Sequence, residues 1–409
     1  MKVLLLGSLI TASQMEMLNT NSVEKASVAP INYETMLVKG LSDNGIQVEA
    51  LSVPAVAAFP NSKFLHINRK SEILENKINI QWIPFFNVQG MKQLSIKMNV
   101  ERELSRWLQK NRDIKNKIVL MYSIYPPYTD PAIRLCQKYG CHLAAVIADL
   151  PEYMYSWKNM SGLRGWYSKR LSNKMLELQG KCDSYILFTK PMASKMGIAN
   201  KPFIVSEGFC DESIYSDIPD QEKYQRKTVL YGGNLSRLYG IQDLVKGFMQ
   251  TDIDAELHIY GAGADADFVE ACSKKDSRIK FFGRVDRRTL LIALKKAHLL
   301  VVNKPTSDDY SNYSFSSKIL EYMSSGTPVL TTRVGGMPND YFHYMYFIDD
   351  ETVTGIANAI EKVLSIDLLS LSLKGEQAKE FAIEKKNYFQ QTKLILRFLE
   401  NNCEQIKER

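Results

Sequence analysis

The sequence predicts an α/β protein with two doubly wound parallel sheets, and three observations carry that expectation. Short apolar runs alternate with helix-period stretches along most of the chain, several of these runs end in a glycine turn, and a polar segment near the middle precedes a fresh start of the alternation. At 409 residues the chain also exceeds the usual size of one hydrophobic core.

The first run, Lys2 to Leu6, leads into Gly7-Ser8, a polar stretch to about Ala29, a helical pattern from Asn32 to Leu41 and a strand from Gln47 to Leu51. This is a strand–helix–strand beginning whose first loop is unusually long. Residues 60 to 95 are mixed and point to no single element, and Met91 to Gln109 reads as a basic helix. Ile118 to Tyr122 reads as a buried strand, Tyr125-Pro-Pro-Tyr128 as a loop with a helix from Asp130 to Lys138 behind it, and His142 to Ala148 as the next strand, ending at Asp149-Leu-Pro-Glu152. In such sheets ligands lie outside the carboxyl ends of strands, which directs attention to the loops after Leu6, Tyr122 and Ala148. Asp149 either contacts the ligand there or caps the turn before Pro151.

Residues 157 to 181 form a basic and aromatic stretch on an expected helix, with Trp157, Lys158, Arg164, Trp166, Lys169 and Arg170 among them. It either lies on an anionic membrane leaflet or packs its aromatics inward as a solvated helix. Ser184 to Phe188 and Pro202 to Val205 read as two more strands, and the polar segment Asp211 to Lys227, with Pro219, as the interdomain linker. Beyond it come strand Thr228 to Tyr231, a Gly-Gly-Asn turn, helix Gln242 to Met249, strand Glu256 to Tyr260 and Gly261-Ala-Gly263. Helix Ala264 to Ser273, strand Ile279 to Phe282, helix Arg287 to Lys296 and strand Leu299 to Val302 complete the repeat of the pattern, and a helix from Val353 to Leu364 and a long helical region close the chain.

Composition narrows the class. Hydrophobic residues at 45%, charged residues at 24%, 22 Gly and 14 Pro are those of an ordinary globular protein and exclude disordered, collagenous and low-complexity chains. The amino-terminal apolar run is too short to span a membrane. Six cysteines without metal-like spacing read as reduced core thiols, which implies a cytoplasmic location. The net charge of +7 suits anionic small molecules or an anionic membrane face and makes no case for nucleic acid.

The segment Asn312 to Leu330 packs loop, capped helix, stop and buried strand into nineteen residues. Ser314 or Ser316 is placed to cap the helix, Ile319, Leu320 and Met323 give it an apolar face, Gly326 fits the position after its end, and Pro328 prevents continuation. A helix start with small serines leaves backbone N–H groups at the positive end of the macrodipole open to an anion, and Lys318 adds a cation. Ser317, Lys318 and Glu321 share one helix face. Glu321 either accepts hydrogen bonds from ribose hydroxyls beside a bound diphosphate or is a carboxylate favoured by the helix dipole and paired with Lys318.

The second half resembles the GT-B glycosyltransferases, specifically glycosyltransferase family 4, the glycosyl transferases of group 1. Tyr231-Gly-Gly-Asn-Leu-Ser-Arg-Leu-Tyr-Gly240 resembles that family's glycine loop, Leu257-His-Ile-Tyr-Gly-Ala-Gly263 its second strand and turn, Phe281-Phe-Gly-Arg-Val285 its third, and Phe315 to Leu330 the branch with Phe-Pro-Ser-Lys before a glutamate. These pieces cover most of residues 228 to 340 in the right order, whereas the first half resembles the family by its pattern and by Asp149-Leu-Pro-Glu152. The resemblance implies two Rossmann-like domains facing each other across a cleft: residues 1–210 for the acceptor, 211–380 for the nucleotide sugar, and 381–409 as a C-terminal helix returning to the first domain. It also implies a retaining transfer, UDP-sugar as the donor, a glycan or lipid-linked acceptor in surface polysaccharide biosynthesis, and neither cofactor nor essential metal. Asp308-Asp309 lacks further ligands in keeping with that. Peripheral attachment at the inner face of the plasma membrane accompanies the cytoplasmic location.

The expected catalytic residues are Asp149, Arg237 and Lys318. Donor contacts are expected from Gly233, Asn234, Arg237, Gly261, Phe315, Ser316, Ser317, Lys318 and Glu321. Three positions depart from the family pattern: Tyr313 stands where the first of two glutamates is common, and Asn234 and Tyr239 stand where an arginine and a lysine are common. The departures keep open a non-catalytic partner subunit of an active transferase, and a sugar nucleotide epimerase or a phosphorylase of GT-B fold is the other rival.

Overall fold

The computed structural model describes residues 1–150, 153 and 162–405, without the side chains of residues 163, 164, 167, 168, 212, 404 and 405. The chain divides into two compact units, Met1–Glu207 together with the chain from Tyr388 onward, and Gly208–Asn387.

The first unit contains β1 (Lys2–Gly7), α1 (Ala12–Thr20), α2 (Val28–Asp43), β2 (Gln47–Ser52), β3 (His66–Ile67), β4 (Ser71–Leu74), β5 (Ile78–Trp82) and β6 (Phe85–Phe86). It continues with α3 (Lys92–Lys110), β7 (Lys117–Tyr122), α4 (Pro126–Lys138), β8 (His142–Ile147), α5 (Gly162–Leu178), β9 (Ser184–Leu187), α6 (Pro191–Lys195) and β10 (Phe203–Val205). Eight strands form one sheet in the order β10-β9-β8-β7-β1-β2-β5-β4, parallel throughout except for β4, which runs antiparallel to β5. The central strands β1, β7 and β8 are apolar at nearly every position because helices cover both faces of a parallel sheet.

Three local expectations change. Much of the long first loop is helix α1, whose only buried side chain is Leu18, so it carries no apolar stripe that a sequence pattern could reveal. Tyr125-Pro-Pro-Tyr128 is not a loop before the helix: Pro126 and Pro127 are the first two positions of α4, where a missing N–H costs nothing. The mixed residues 60 to 95 resolve into the short strands β3 to β6.

The second unit contains β11 (Lys227–Asn234), α7 (Ile241–Met249), β12 (Ala255–Ala262), α8 (Ala266–Ser273), β13 (Ile279–Gly283), α9 (Arg287–Lys296) and β14 (Leu299–Val302). Then follow α10 (Ser317–Ser324), β15 (Val329–Thr332), β16 (Tyr346–Ile348), α11 (Val353–Leu364) and α12 (Leu368–Lys385); α13 (Tyr388–Gln405), the last described element, belongs to the first unit. Six parallel strands lie in the order β13-β12-β11-β14-β15-β16. Alternation along the strands feeds two cores. Leu230, Leu300 and Val302 join α9, α10 and α12 on one face, and Val229, Tyr231, Leu299 and Val301 join α7, α8 and α11 on the other.

The segment read as a linker, 211 to 227, packs into the second unit. Ile218 is buried in its core, the Tyr215 hydroxyl donates to the Glu321 carbonyl at 3.1 Å, and Lys223 Nζ donates to the carbonyls of Lys295 and Ala297 at 2.9 and 2.8 Å. The units part between Glu207 and Gly208 instead of at 210, and residues 381 to 385 are the end of α12 and belong to the second unit. Helix α13 packs on α2, where Asn44 Nδ2 donates to the Phe389 carbonyl and to Thr392 Oγ1 at 3.1 and 3.2 Å. All six cysteines are buried and none forms a disulfide. Among the described residues no helix is long and apolar enough to cross a membrane.

Candidate active site

The strand order of the second unit reverses between β11 and β14, which makes the carboxyl ends of these two strands a topological switch point, where open α/β sheets bind ligands. Most of the residues expected to hold the donor converge there. Instead of turning, Gly232, Gly233 and Asn234 extend β11, and a short 3-10 turn, Arg237–Tyr239, follows. Helix α10 begins nearby at Ser317 with Ser316 as its N-cap, and the Ser316 side chain does not cap it, so the amino end of the helix is left to other partners.

Lys318, in the first turn of α10, joins these pieces. Its Nζ donates to the Tyr231 hydroxyl at 3.1 Å and lies 4.5 Å from the Tyr231 ring and 5.4 Å from the Tyr239 ring. A Cβ on Gly233 would fall 1.9 Å from that Nζ, so only glycine lets the lysine cross the strand end, and the φ of +152° there also suits glycine. Loss of solvent pulls the Lys318 ammonium down to about 8, with Glu321 acting in the opposite sense. A second anchor fixes α10 to the same strand: the Tyr322 hydroxyl accepts from the Gly232 N–H at 2.8 Å and donates to the Gly232 carbonyl at 3.0 Å.

The other expected donor residues fall into groups. Glu321 is half-buried one turn beyond Lys318, and its carboxylate lies 3.8 Å from the exposed Arg287 guanidinium. Ser317 and Asn234 are exposed, and Arg237 is exposed on the 3-10 turn that brings Tyr239 to Lys318. The Phe315 ring packs on Tyr341 at 5.3 Å, which makes its side chain a wedge into the core. Gly261 serves close strand approach: at φ +138° a Cβ would lie 1.8 Å from the Gly233 carbonyl oxygen. Gly261→Ala is expected to cost about 1–3 kcal/mol of stability, read as a lower thermal midpoint; an unchanged midpoint would mean that the edge of β11 yields to the methyl group.

Residues 226–365 match the family described as glycosyl transferases group 1. Over these residues the chain is similar to that group. A curated relative, the N-acetyl-alpha-D-glucosaminyl L-malate synthase of Bacillus anthracis, is 27% identical over 215 residues, 49% of this chain and 53% of the relative. The match therefore spans about half the length of that relative. Two solved structures align over 98% of the chain: a sucrose-phosphate synthase from Thermosynechococcus elongatus, with TM-score 0.65, 14% identity and 99% of its own chain covered, and Anabaena HepE in complex with UDP, with TM-score 0.61, 15% identity and 100% covered. The likeness establishes the GT-B fold.

In the second unit, sequence reasoning missed what the tyrosines do. Tyr231 and Tyr322 do their work through a hydroxyl at positions that read as apolar, and Tyr239, read as standing in place of a family lysine, presents its ring to Lys318. It also missed Lys304, buried at the end of β14, whose Nζ donates to Ser314 Oγ and lies 4.2 Å from the Tyr310 ring. Ser314 is thereby committed to Lys304, and although Ser316 occupies the N-cap position, neither serine side chain caps α10, contrary to the expectation from sequence.

Asp149 lies in the first unit, just beyond the carboxyl end of β8. It shares an electrostatic neighbourhood with Tyr122 at the end of β7, whose hydroxyl pKa is raised by burial first and then by Glu34, Tyr33 and Asp149. Glu34 had no signal in the sequence beyond being a lone acid in a helix. It is fully buried and accepts from the Ser8 N–H at 2.9 Å and the Ser8 hydroxyl at 2.8 Å, which fixes the loop after β1. Burial pushes its carboxyl up to about 7 against the pull of these Ser8 hydrogen bonds. Pro151, Glu152, Trp157 and Lys158 lie outside the described residues, as do the side chains of Arg164 and Tyr167.

Proposed function

We propose that the protein transfers a sugar, with retention at the anomeric carbon, from a UDP-sugar to a glycan or lipid-linked acceptor in surface polysaccharide biosynthesis. The observation that carries the reading is the meeting of Lys318, the glycine end of β11 and the uncapped start of α10 at the switch point of the second unit. As the bond from the anomeric carbon to the diphosphate breaks, negative charge grows on the leaving oxygens. The Lys318 ammonium and the first N–H groups of α10 stabilise that charge, with Arg237 as a further cation and Ser316, Ser317 and the Phe315 backbone as the seat. Glu321 accepts hydrogen bonds from the ribose, and the edge formed by Gly233, Asn234 and Gly261 lets the donor come close to the backbone. In this assignment the second unit holds the donor, the first unit holds the acceptor, and Asp149 contacts the sugar. The UDP complex of Anabaena HepE supports the donor class.

Because lysine and helix supply the positive charge, no metal is required. A thermal-shift panel of UDP, GDP and ADP tests both points: UDP is expected to raise the midpoint, with a gain of about 2.7 kcal/mol at a hundred times its dissociation constant, equally with and without EDTA. No response to any nucleotide, or a response that EDTA abolishes, overturns the reading. Tyr313 in place of a family acid favours one rival, a non-catalytic partner subunit, and release of UDP from the donor on adding acceptor excludes it.

Attachment to the inner face of a membrane through residues 157 to 174 belongs to the same proposal. In the described part of that stretch Trp166 is 60% exposed and the Arg170 guanidinium lies 5.6 Å from its ring centroid, so an aromatic and a cation face solvent together.

A further inference from the structure

Helix α3 buries one stripe, Ile96, Val100, Leu104, Trp107 and Leu108, and turns a second apolar stripe to solvent. Met91, Leu94 and Met98, spaced three and four residues apart, are 54%, 62% and 63% exposed. The patch continues onto the neighbouring strand pair, where Phe86 and Leu65 are 50% and 56% exposed. Phe86 is tied to α3 through its N–H and Ser95 Oγ at 3.1 Å, and Leu65 is tied to Asn87 through a backbone hydrogen bond of 2.8 Å. Five large apolar side chains thus share one surface, which a water-facing protein ordinarily avoids unless something covers it.

The charge around the patch carries a positive surplus. Helix α3 carries five lysines and arginines against two glutamates. Arg69 and Arg106 both bind the single carboxylate of Glu103, Lys97 pairs with Asp130 at 2.6 Å, Arg134 pairs with Glu101 at 3.0 Å, and Arg102 stands exposed on the same stripe as Met98. We infer that this face docks on an anionic membrane leaflet, with Leu94, Met98 and Phe86 entering the headgroup boundary and the surplus arginines meeting lipid phosphates. A second copy of the chain fits less well, since a two-fold interface would set the same positive surplus against itself, and five side chains are a small area beside the roughly 800 Å² per partner of a stable interface. Helix α3 packs on α4 and α4 on α5, so this patch and the exposed Trp166–Arg170 pair lie along one helical layer. The inference stands without the sugar-transfer reading.

Co-sedimentation of the full chain with vesicles tests it, using phosphatidylcholine alone and phosphatidylcholine mixed with an equal amount of phosphatidylglycerol. Binding is expected on the mixed vesicles only. Leu94→Gln and Met98→Gln are each expected to weaken it about tenfold, from the transfer of one partly exposed side chain out of water. Arg102→Glu is expected to weaken it further at low salt than at high salt. These positions face solvent, and unchanged thermal midpoints verify the fold. Wild-type chain that ignores both vesicles overturns the proposal. So does retention of wild-type binding in the Leu94→Gln/Met98→Gln double variant, as would follow if Lys169→Glu/Arg170→Glu alone released the protein. Conversion of a dimer to a monomer by the double variant, with vesicle binding intact, reassigns the face to self-association.

Discussion

Lys318→Ala is expected to lower turnover of a UDP-sugar about a hundredfold to a thousandfold, the range seen when one preorganised donor to a developing anion is removed. The fold should survive. The bond lost inside the protein is the one to the Tyr231 hydroxyl, which still donates to the Asn234 carbonyl at 2.8 Å, and α10 keeps its second anchor through Tyr322. Arg237→Ala is expected to do less, because an exposed cation acts through water and contributes about 1 kcal/mol or less. Acidity gives an independent readout. With its pKa drawn from 10.5 down to about 8, Lys318 of the unliganded protein loses its proton as pH rises through that lower value, and UDP affinity is expected to fall across the same range. Stability moves the opposite way: between about 8 and 10.5 the unfolded chain holds more protons on this lysine than the folded one, so this group makes stability rise with pH. Both trends should vanish in Lys318→Ala. Wild-type turnover in the folded variant would remove Lys318 from the chemistry.

Most of the second unit was legible because its strands are short apolar runs bounded by glycine or polar turns, and its helices carry full apolar stripes. The strand at Leu299 and the helices at Arg287 and Val353 lie where the pattern put them. Elements without such a stripe were not legible. Helix α1 buries only Leu18, and strands β3 and β6 are two residues long each. The supposed linker was misread for a related reason: Lys223 and Tyr215 hold it to the second unit with a charged tip and a hydroxyl, and polar residues that bury their tips look like solvent-facing ones in sequence. The same blindness hid Tyr322 and Glu34. Gly233 and Gly261 were read as donor contacts, and the structure adds a packing reason for each: Gly233 gives way to Lys318, and Gly261 to the backbone of β11.

Glu321→Ala is expected to weaken UDP binding about tenfold to a hundredfold or more, the value of a hydrogen bond to a charged acceptor. The carboxylate is half-buried on the Lys318 face of α10, where it also acts on the Lys318 ammonium, and among the described residues it forms an ion pair with Arg287 at 3.8 Å, which is more exposed than the glutamate itself. That ion pair sets the competing account. If the only work of Glu321 is to meet Arg287 and the helix dipole, its loss costs at most about 1 kcal/mol of stability and leaves the nucleotide alone. The two accounts separate cleanly when Arg287→Ala is measured beside Glu321→Ala. On the surface ion-pair account the two variants lose the same small stability and both bind UDP like wild type. On the ribose account Arg287→Ala binds nearly as well as wild type, whereas Glu321→Ala loses affinity for UDP but not for pyrophosphate, because the diphosphate seat at Lys318 and the start of α10 is untouched. Isothermal titration with UDP and with pyrophosphate reads all of these at once, and wild-type UDP affinity in a well-folded Glu321→Ala protein would take the ribose contact out of the site.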